Sequence, residues 1–358
     1  MIQRPLLTFH ESVVEEAALG YFRDLGYDTK FGPDIAPDGT RKERENWNDV
    51  VFVGRLKRAI DRINPHLTTE AREDALRKVL RTDSPSPVLS NCRFHEFLAN
   101  GADVETRRKE GRIAGDKAWL VDFEHPENND WLVVNQFAVI ENGHSRRPDL
   151  VVFLNGLPVA TFEFKNPADE QATIWSAYEQ LRTYEAEIPA LFQFNELLVV
   201  SDGTEARLGC LTSHRERFLP WRTVEGKEIA LKGSLELETL IRGVFDKQRL
   251  LDLLRHFIVF EDDGGAISKK VAAYHQFHAV NRAVEATVRA ASEKGDKRVG
   301  VVWHTQGSGK SLTMVFYAAK IARHLALANP TLVVLTDRVD LDSQLFSKFS
   351  VCHSLLRP

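Results

Sequence analysis

Apolar side chains recur at helical spacing near the start of the chain, at Val14, Ala17, Ala18, Tyr21, Phe22 and Leu25, and Gly26 ends the stripe. A second α-rich stretch covers residues 47–81, with Val50, Val53, Leu56, Ile60 and Ile63 on one face, until Asp83-Ser84-Pro85-Ser86-Pro87 breaks it. Residues 91–129 are charged and mixed. From Trp131 the texture changes to β-rich apolar runs at 131–140, 150–154, 159–164 and 197–200, with a helix over 169–186 between the last two. This predicts a compact α/β unit. A turn at Ser201-Asp202-Gly203, a connector containing Pro220 and a helix over 235–257 follow. Glu261-Asp262-Asp263-Gly264-Gly265 reads as an interdomain break, and beyond it come a strand at 299–303, a helix at 312–325 and a strand at 331–335.

Composition narrows the possibilities. With 358 residues and 43% hydrophobic content, the chain is long enough for two domains with real cores. A net charge of −4 provides no global basic field, so any DNA contact must be a local patch. The basic cluster Arg107-Arg108-Lys109 reads first as a solvated face. Cys92, Cys210 and Cys352 match neither a metal spacing nor a disulfide framework, as in a reducing cytoplasm. Neither a leader-like start nor a membrane-length apolar run is evident, so a soluble cytoplasmic protein is expected.

The sharpest local motif is His304-Thr305-Gln306-Gly307-Ser308-Gly309-Lys310-Ser311, directly after Val299-Gly300-Val301-Val302-Trp303. Strand, glycine turn and helix in this order predict a phosphate-binding loop. Gly307, Ser308 and Gly309 would bring backbone N–H groups to phosphate oxygens, Lys310 would reach the β and γ phosphates of ATP, and Ser311 would bind Mg²⁺. His304 stands where the first glycine of the pattern usually sits. Only 47 residues follow Ser311. Of the carboxylates there, Asp337, Asp340 and Asp342, none ends an apolar strand as a metal-sharing aspartate of an ATPase must, and Asp169-Glu170 lies far upstream. The chain therefore reads as cut short after Pro358, and ATP turnover is not expected of it.

A second constellation lies at Arg147-Pro148-Asp149 and, across Asn155-Gly156, at Phe162-Glu163-Phe164-Lys165. Asn-Gly between apolar runs is a hairpin signal. Glu163 and Lys165, two apart, share one face of the second strand. Two carboxylates and a lysine suit phosphodiester hydrolysis, with Asp149 and Glu163 holding Mg²⁺ and Lys165 orienting the nucleophile or stabilising charge. Register decides between this and a salt bridge at a strand end. A two-residue Asn155-Gly156 loop pairs Asp149 with Phe162 and turns it away from Glu163. A three-residue loop with Gly156 as a left-handed bulge pairs Asp149 with Thr161, on the face of Glu163.

The order Pro148-Asp149…Glu163-Phe164-Lys165 followed by Gln180-Leu181-Arg182-Thr183-Tyr184 resembles the PD-(D/E)xK nucleases of the Gln-x-x-x-Tyr branch. Asp130-Trp131-Leu132-Val133-Val134-Asn135-Gln136-Phe137, Asn155-Gly156-Leu157-Pro158 and Glu11-x-x-x-Glu15 before Leu25-Gly26-Tyr27 resemble the restriction (R) subunit of type I restriction–modification enzymes, over essentially the whole chain. The resemblance implies a PD-(D/E)xK-like mixed sheet flanked by helices over 1–262, with its core at 131–201 and a helical insertion at 45–130. The start of a RecA-like superfamily-2 translocase lobe would follow at 266–358. It further implies that Asp149, Glu163 and Lys165 cut double-stranded DNA, that Gln180, Tyr184 and Glu15 support them, and that Gln276 in Tyr274-His275-Gln276-Phe277 reads adenine. Methyltransferase and specificity subunits are the implied partners, and no membrane is involved. A helicase-linked repair nuclease and an inactive remnant or docking module are the alternatives.

Overall fold

The structure is a computed structural model that describes residues 11–81, 84, 86–107, 113–166, 173–231, 233–328, 330–336 and 339–356. At its centre lies a six-stranded sheet whose strands follow chain order: β1 Asp28–Phe31, β2 Trp131–Asn135, β3 Leu150–Leu154, β4 Leu157–Phe164, β5 Leu197–Ser201 and β6 Ala206–Gly209. β1 runs parallel to β2 and β4 parallel to β5, and the other three pairings are antiparallel. Strands β3, β4 and β5 are buried along their whole length, because helices cover the sheet. Helix α1, Glu11–Asp24, and helix α2, Ile174–Glu187, both pack against it. Phe22 of α1 and Phe245 meet Phe162 of β4 edge-on or tilted, forming an aromatic core on one side.

The sequence pattern places most elements and misses several breaks. The 131–140 run is two strands, because Gln136 takes a left-handed backbone and the chain turns into a small hairpin, Val139–Glu141 with His144–Arg146. Residues 47–81 hold two helices, Val53–Ile63 and Thr69–Leu80. The mixed stretch after them is ordered as helix Pro87–Asn100 and hairpin Ala102–Arg107 with Ile113–Ala118. The expected helix at 235–257 is split into Glu236–Val244 and Lys247–His256, the second capped by the Asp246 side chain. Glu261 to Gly265 form the end and turn of another hairpin, Ile258–Asp262 with Ile267–Val271. Arg108, Lys109, Asp169, Glu170, Asp337 and Pro358 lie outside the described residues.

The largest departure is C-terminal. Helix α3, Tyr274–Ala291, and helix α4, Lys310–Ala322, pack together, but the strands expected at 299–303 and 331–335 do not form. Val301 is 94% exposed, Trp303 80%, Val333 75% and Leu335 89%. A strand of a parallel sheet exists through hydrogen bonds to its neighbours, and among the described residues nothing pairs with either run. No described helix is long and apolar enough to cross a membrane.

Candidate functional site

The β3–β4 hairpin corrects the expected register and still unites its residues. The turn is the two-residue one: Asn155 (φ 53°) and Gly156 (φ 83°) are both left-handed, and Leu154 pairs with Leu157. The shift comes further along β4. Phe153 pairs with Pro158 but Val152 pairs with Ala160, so Val159 is an extra residue, a β-bulge. Leu150 then faces Phe162, which sets Asp149 opposite Glu163 rather than opposite Phe162 or Thr161. Directly opposed residues share a face, so both carboxylates point the same way.

Asp149 is 8% exposed and Glu163 1%. The Phe164 backbone N–H donates to Asp149 Oδ2 at 2.7 Å, tying the start of β3 to the end of β4. Lys165 continues β4, its backbone N–H donating to Ser201 O. Its ammonium lies 3.5 Å from Glu163 Oε1 and donates to Gln180 Oε1 at 2.7 Å. Gln180 donates in turn to the Tyr184 hydroxyl one helical turn on. Burial, then the Glu163 and Asp149 carboxylates, push the Tyr184 phenol above its ordinary value, so it stays protonated at neutral pH.

Asp149, Glu163, Gln180 and Tyr184 line a cleft of about 850 Å³ together with Glu15, Gln136, Arg146 and Arg147, and Lys165 reaches it through its contacts to Glu163 and Gln180. Glu15 is brought in from α1 and accepts hydrogen bonds from the side-chain amides of Asn135 and Gln136 at the end of β2. Sequence reasoning missed the two arginines, whose signal was their position directly before Pro148-Asp149. Arg146 ion-pairs with Glu187 at the end of α2, while Arg147 is exposed. Among the described residues no group of three or more His, Cys, Asp or Glu is drawn together for a metal. Two opposed carboxylates beside open space instead match the chemistry of Mg²⁺, which keeps several waters and takes one or two carboxylates plus substrate oxygens.

The glycine-rich loop is a separate locality. Gly307 and Gly309 have positive φ (79° and 80°), and Gly309 caps α4, which begins at Lys310, two residues ahead of the helix expected at 312–325. Lys310 Nζ donates to the carbonyls of His304 and Thr305, and the Ser308 hydroxyl to Thr305 O. Ser311 stands in the first turn of the helix. Gln276 is buried: its Oε1 accepts from Ala273 N and its Nε2 donates to Gly309 O, so both ends of the amide are engaged by this chain. Burial, then His275 and Lys310, lower the pKa of His304.

Known proteins match this chain over two separate stretches. Residues 8–217 match the family described as type I restriction enzyme R protein N terminus, and residues 275–356 match the SWI2/SNF2 ATPase family. The chain is 42% identical over 353 residues to the type I restriction enzyme HindI endonuclease subunit of Haemophilus influenzae, covering 97% of this chain and 33% of that protein. It is 39% identical over 364 residues to the putative type I restriction enzyme MjaIXP endonuclease subunit of Methanocaldococcus jannaschii, covering 96% of this chain and 34% of that one. A Staphylococcus aureus endonuclease subunit, SauCOLORF180P, is 30% identical over 229 residues, 62% of this chain and 22% of its own length. The chain thus spans about a third of the length of the first two relatives. With the family match covering more than half of its residues, the chain belongs to the type I restriction enzyme R proteins and corresponds to their N-terminal region.

Proposed function

We propose that the cleft beside β4 is a Mg²⁺-dependent endonuclease site of PD-(D/E)xK type that cuts double-stranded DNA. The observation that carries this reading is the opposition of Asp149 and Glu163 on one face of the sheet, with Lys165 held between Glu163 and Gln180. Asp149 and Glu163 would hold the ion, which when bound supplies Lewis acidity and a more acidic water. The chain's own groups do the rest. Lys165, fixed by Gln180, presents an ammonium to the charge that develops on a phosphate oxygen. Tyr184, protonated, braces Gln180. Arg146 and Arg147 at the cleft wall meet the DNA backbone, where arginine forks suit phosphate oxygens. Glu15, fixed by two amides, adds a negative wall on the far side.

In the second locality the loop from Gly307 to Ser311 would take the phosphates of ATP, with Mg²⁺ at Ser311. Gln276 would read adenine only by exchanging its contacts to Ala273 and Gly309. We expect binding without turnover, since among the described residues no carboxylate bonds Lys310 or Ser311 and the apolar runs beside the loop are unpaired. In the longer protein this segment would open the first lobe of a DNA translocase. The domain division would then fall near the hairpin at 258–271, and methyltransferase and specificity subunits would supply target recognition. The test is nicking of supercoiled plasmid by the chain, and by a longer form with those subunits, across a Mg²⁺ series. Cleavage by Asp149→Asn or Glu163→Gln at the parent rate would overturn the assignment.

A further inference from the structure

The bulge at Val159 decides whether the two carboxylates share a face, because without it a two-residue turn sets Asp149 opposite Phe162. Something must therefore hold the extra residue in place. The Val159 carbonyl accepts from the backbone N–H of Glu196 at 2.8 Å, just where β5 begins to pair with β4. Next to it, the Asn195 side-chain amide donates to Thr161 Oγ1 at 3.0 Å, two residues before Glu163. The segment Asn195-Glu196 thus grips β4 at the bulge and two residues beyond it.

That segment is itself gripped by a lysine from far along the chain. Lys269, in strand Ile267–Val271, is fully buried, and its ammonium lies 2.6 Å from Glu196 Oε2, whose side chain is also fully buried. It donates as well to Asn91 Oδ1 at 2.8 Å and to Asn195 O at 2.9 Å. An ammonium has three protons, and all three are used. His95 Nδ1 lies 3.1 Å from the same Glu196 oxygen, and Asn91 donates to the carbonyls of Phe192, Gln193 and Asn195. Burial alone would raise the Glu196 carboxyl, but Lys269 and His95 hold it below its ordinary value, so the carboxylate is ionised at neutral pH. A buried ion pair contributes little net stability compared with apolar residues of the same volume; its best-attested use is to specify register.

We propose that Lys269, through Glu196 and Asn195, is a positioning residue of the cleavage site: it fixes the β4 bulge and so aligns Glu163 with Asp149. The role rests on the nuclease reading above. It also gives the chain a direct tie between its two localities, because five residues after Lys269 the backbone enters α3, whose Gln276 holds the phosphate loop at Gly309.

The experiment compares the parent chain, K269M/E196L and E196Q by residue-resolved amide hydrogen exchange and by the Mg²⁺ dependence of plasmid nicking, with E163Q as the inactive control. K269M/E196L replaces the pair by apolar groups of similar size and is expected to fold, and E196Q keeps shape and one acceptor for Lys269. The expected result is faster exchange at Ala160 to Glu163, by about tenfold, than at Leu132 to Val134 of β2. A several-fold rise in the Mg²⁺ needed for half-maximal nicking is expected with it. Exchange that rises equally across the sheet, or not at all, in both variants shows a structural brace and overturns the proposal. If the parent chain fails to nick DNA, the nuclease reading fails separately, and the exchange data still decide whether Lys269 fixes the bulge.

Discussion

The central sheet and the glycine-rich loop are built from similar runs of apolar residues with opposite outcomes. Strands such as Leu150–Leu154 and Leu197–Ser201 are buried from end to end, each with a partner on both sides. Val299-Gly300-Val301-Val302-Trp303 and Thr331 to Leu335 are similarly apolar, yet they form no strand and stand in solvent. The difference lies in the neighbours, because a strand is stabilised by its ladder and by side chains across it rather than by its own sequence. The two sites inherit this contrast. Asp149 and Glu163 are aligned by the register of paired strands, whereas the glycine-rich loop is shaped locally by two left-handed glycines and a helix N-terminus.

Substitutions at the sites should separate the two regions most sharply. Glu163→Gln should lower Mg²⁺-dependent nicking on the order of a thousand-fold, roughly 4 kcal/mol of transition-state stabilisation, while leaving the thermal midpoint close to that of the parent. Lys310→Ala should leave nicking by this chain unchanged and weaken binding of ATP, read by equilibrium dialysis or a fluorescent nucleotide. Loss of nicking in Lys310→Ala would mean that the two localities are one functional unit.

Glycine substitutions test the same contrast as stability. Gly156 (φ 83°) is packed under the helix Val53–Ile63, and a Cβ there would meet the Phe52 carbonyl at 2.6 Å. Gly307 has nearly the same φ, 79°, but open space around it. Gly156→Ala should therefore cost about 3 kcal/mol, from a left-handed backbone plus a clash with main chain, and Gly307→Ala about 1 kcal/mol or less, confined to the loop. Urea unfolding of both variants measures the difference, and equal losses would show that the loop is as deeply integrated as the hairpin.

A buried carboxyl on the sheet side gives the next smaller effect. Glu185, beside Tyr184 on α2, is pushed up to about 8 because burial outweighs the guanidinium of Arg182 at 2.8 Å. Between its ordinary value near 4.5 and about 8 the folded chain keeps a proton that the unfolded chain has lost. Stability is therefore present in full below that range and falls as pH rises through it. Glu185→Gln should flatten the slope of the unfolding midpoint between about pH 5 and 8, by roughly 1–2 kcal/mol across the window. An unchanged slope would place the titrating group elsewhere.

How much of this was legible in sequence depends on whether the determinant is local. Helix α1, the strands of the sheet core, the Asn155-Gly156 turn and the pairing of Gln180 with Tyr184 follow from period and turn chemistry, and each is found. The bulge at Val159 was missed although Pro158 marks it, since a proline has no N–H for a central ladder and is tolerated there at strand starts and bulges. It is held by Glu196, distant in sequence, so the correct face for Asp149 was reached through the wrong device. Arg147 read as a mere neighbour of Pro148-Asp149 until the fold placed it on the cleft wall. Lys269 gave no signal at all, since a lysine in a short polar strand is almost always solvated and only the packed structure buries it.

The smallest expected effect is the most direct test of the comparison. If the 299–303 run gains nothing from being apolar in this chain, replacing it should leave stability unchanged. Val301→Thr with Trp303→Ser removes two side chains that are 94% and 80% exposed, so the urea midpoint should move by no more than about 0.5 kcal/mol. In the sheet, Phe162 is fully buried, and Phe162→Ala should cost about 3–5 kcal/mol. The exposed pair should show itself in association instead. Contiguous apolar surface of this kind drives self-contact, so the double substitution should reduce dye binding and raise the concentration at which light scattering sets in. A loss of stability comparable to that of Phe162→Ala would show that the run is packed in solution, and that the contrast between the two regions is one of degree.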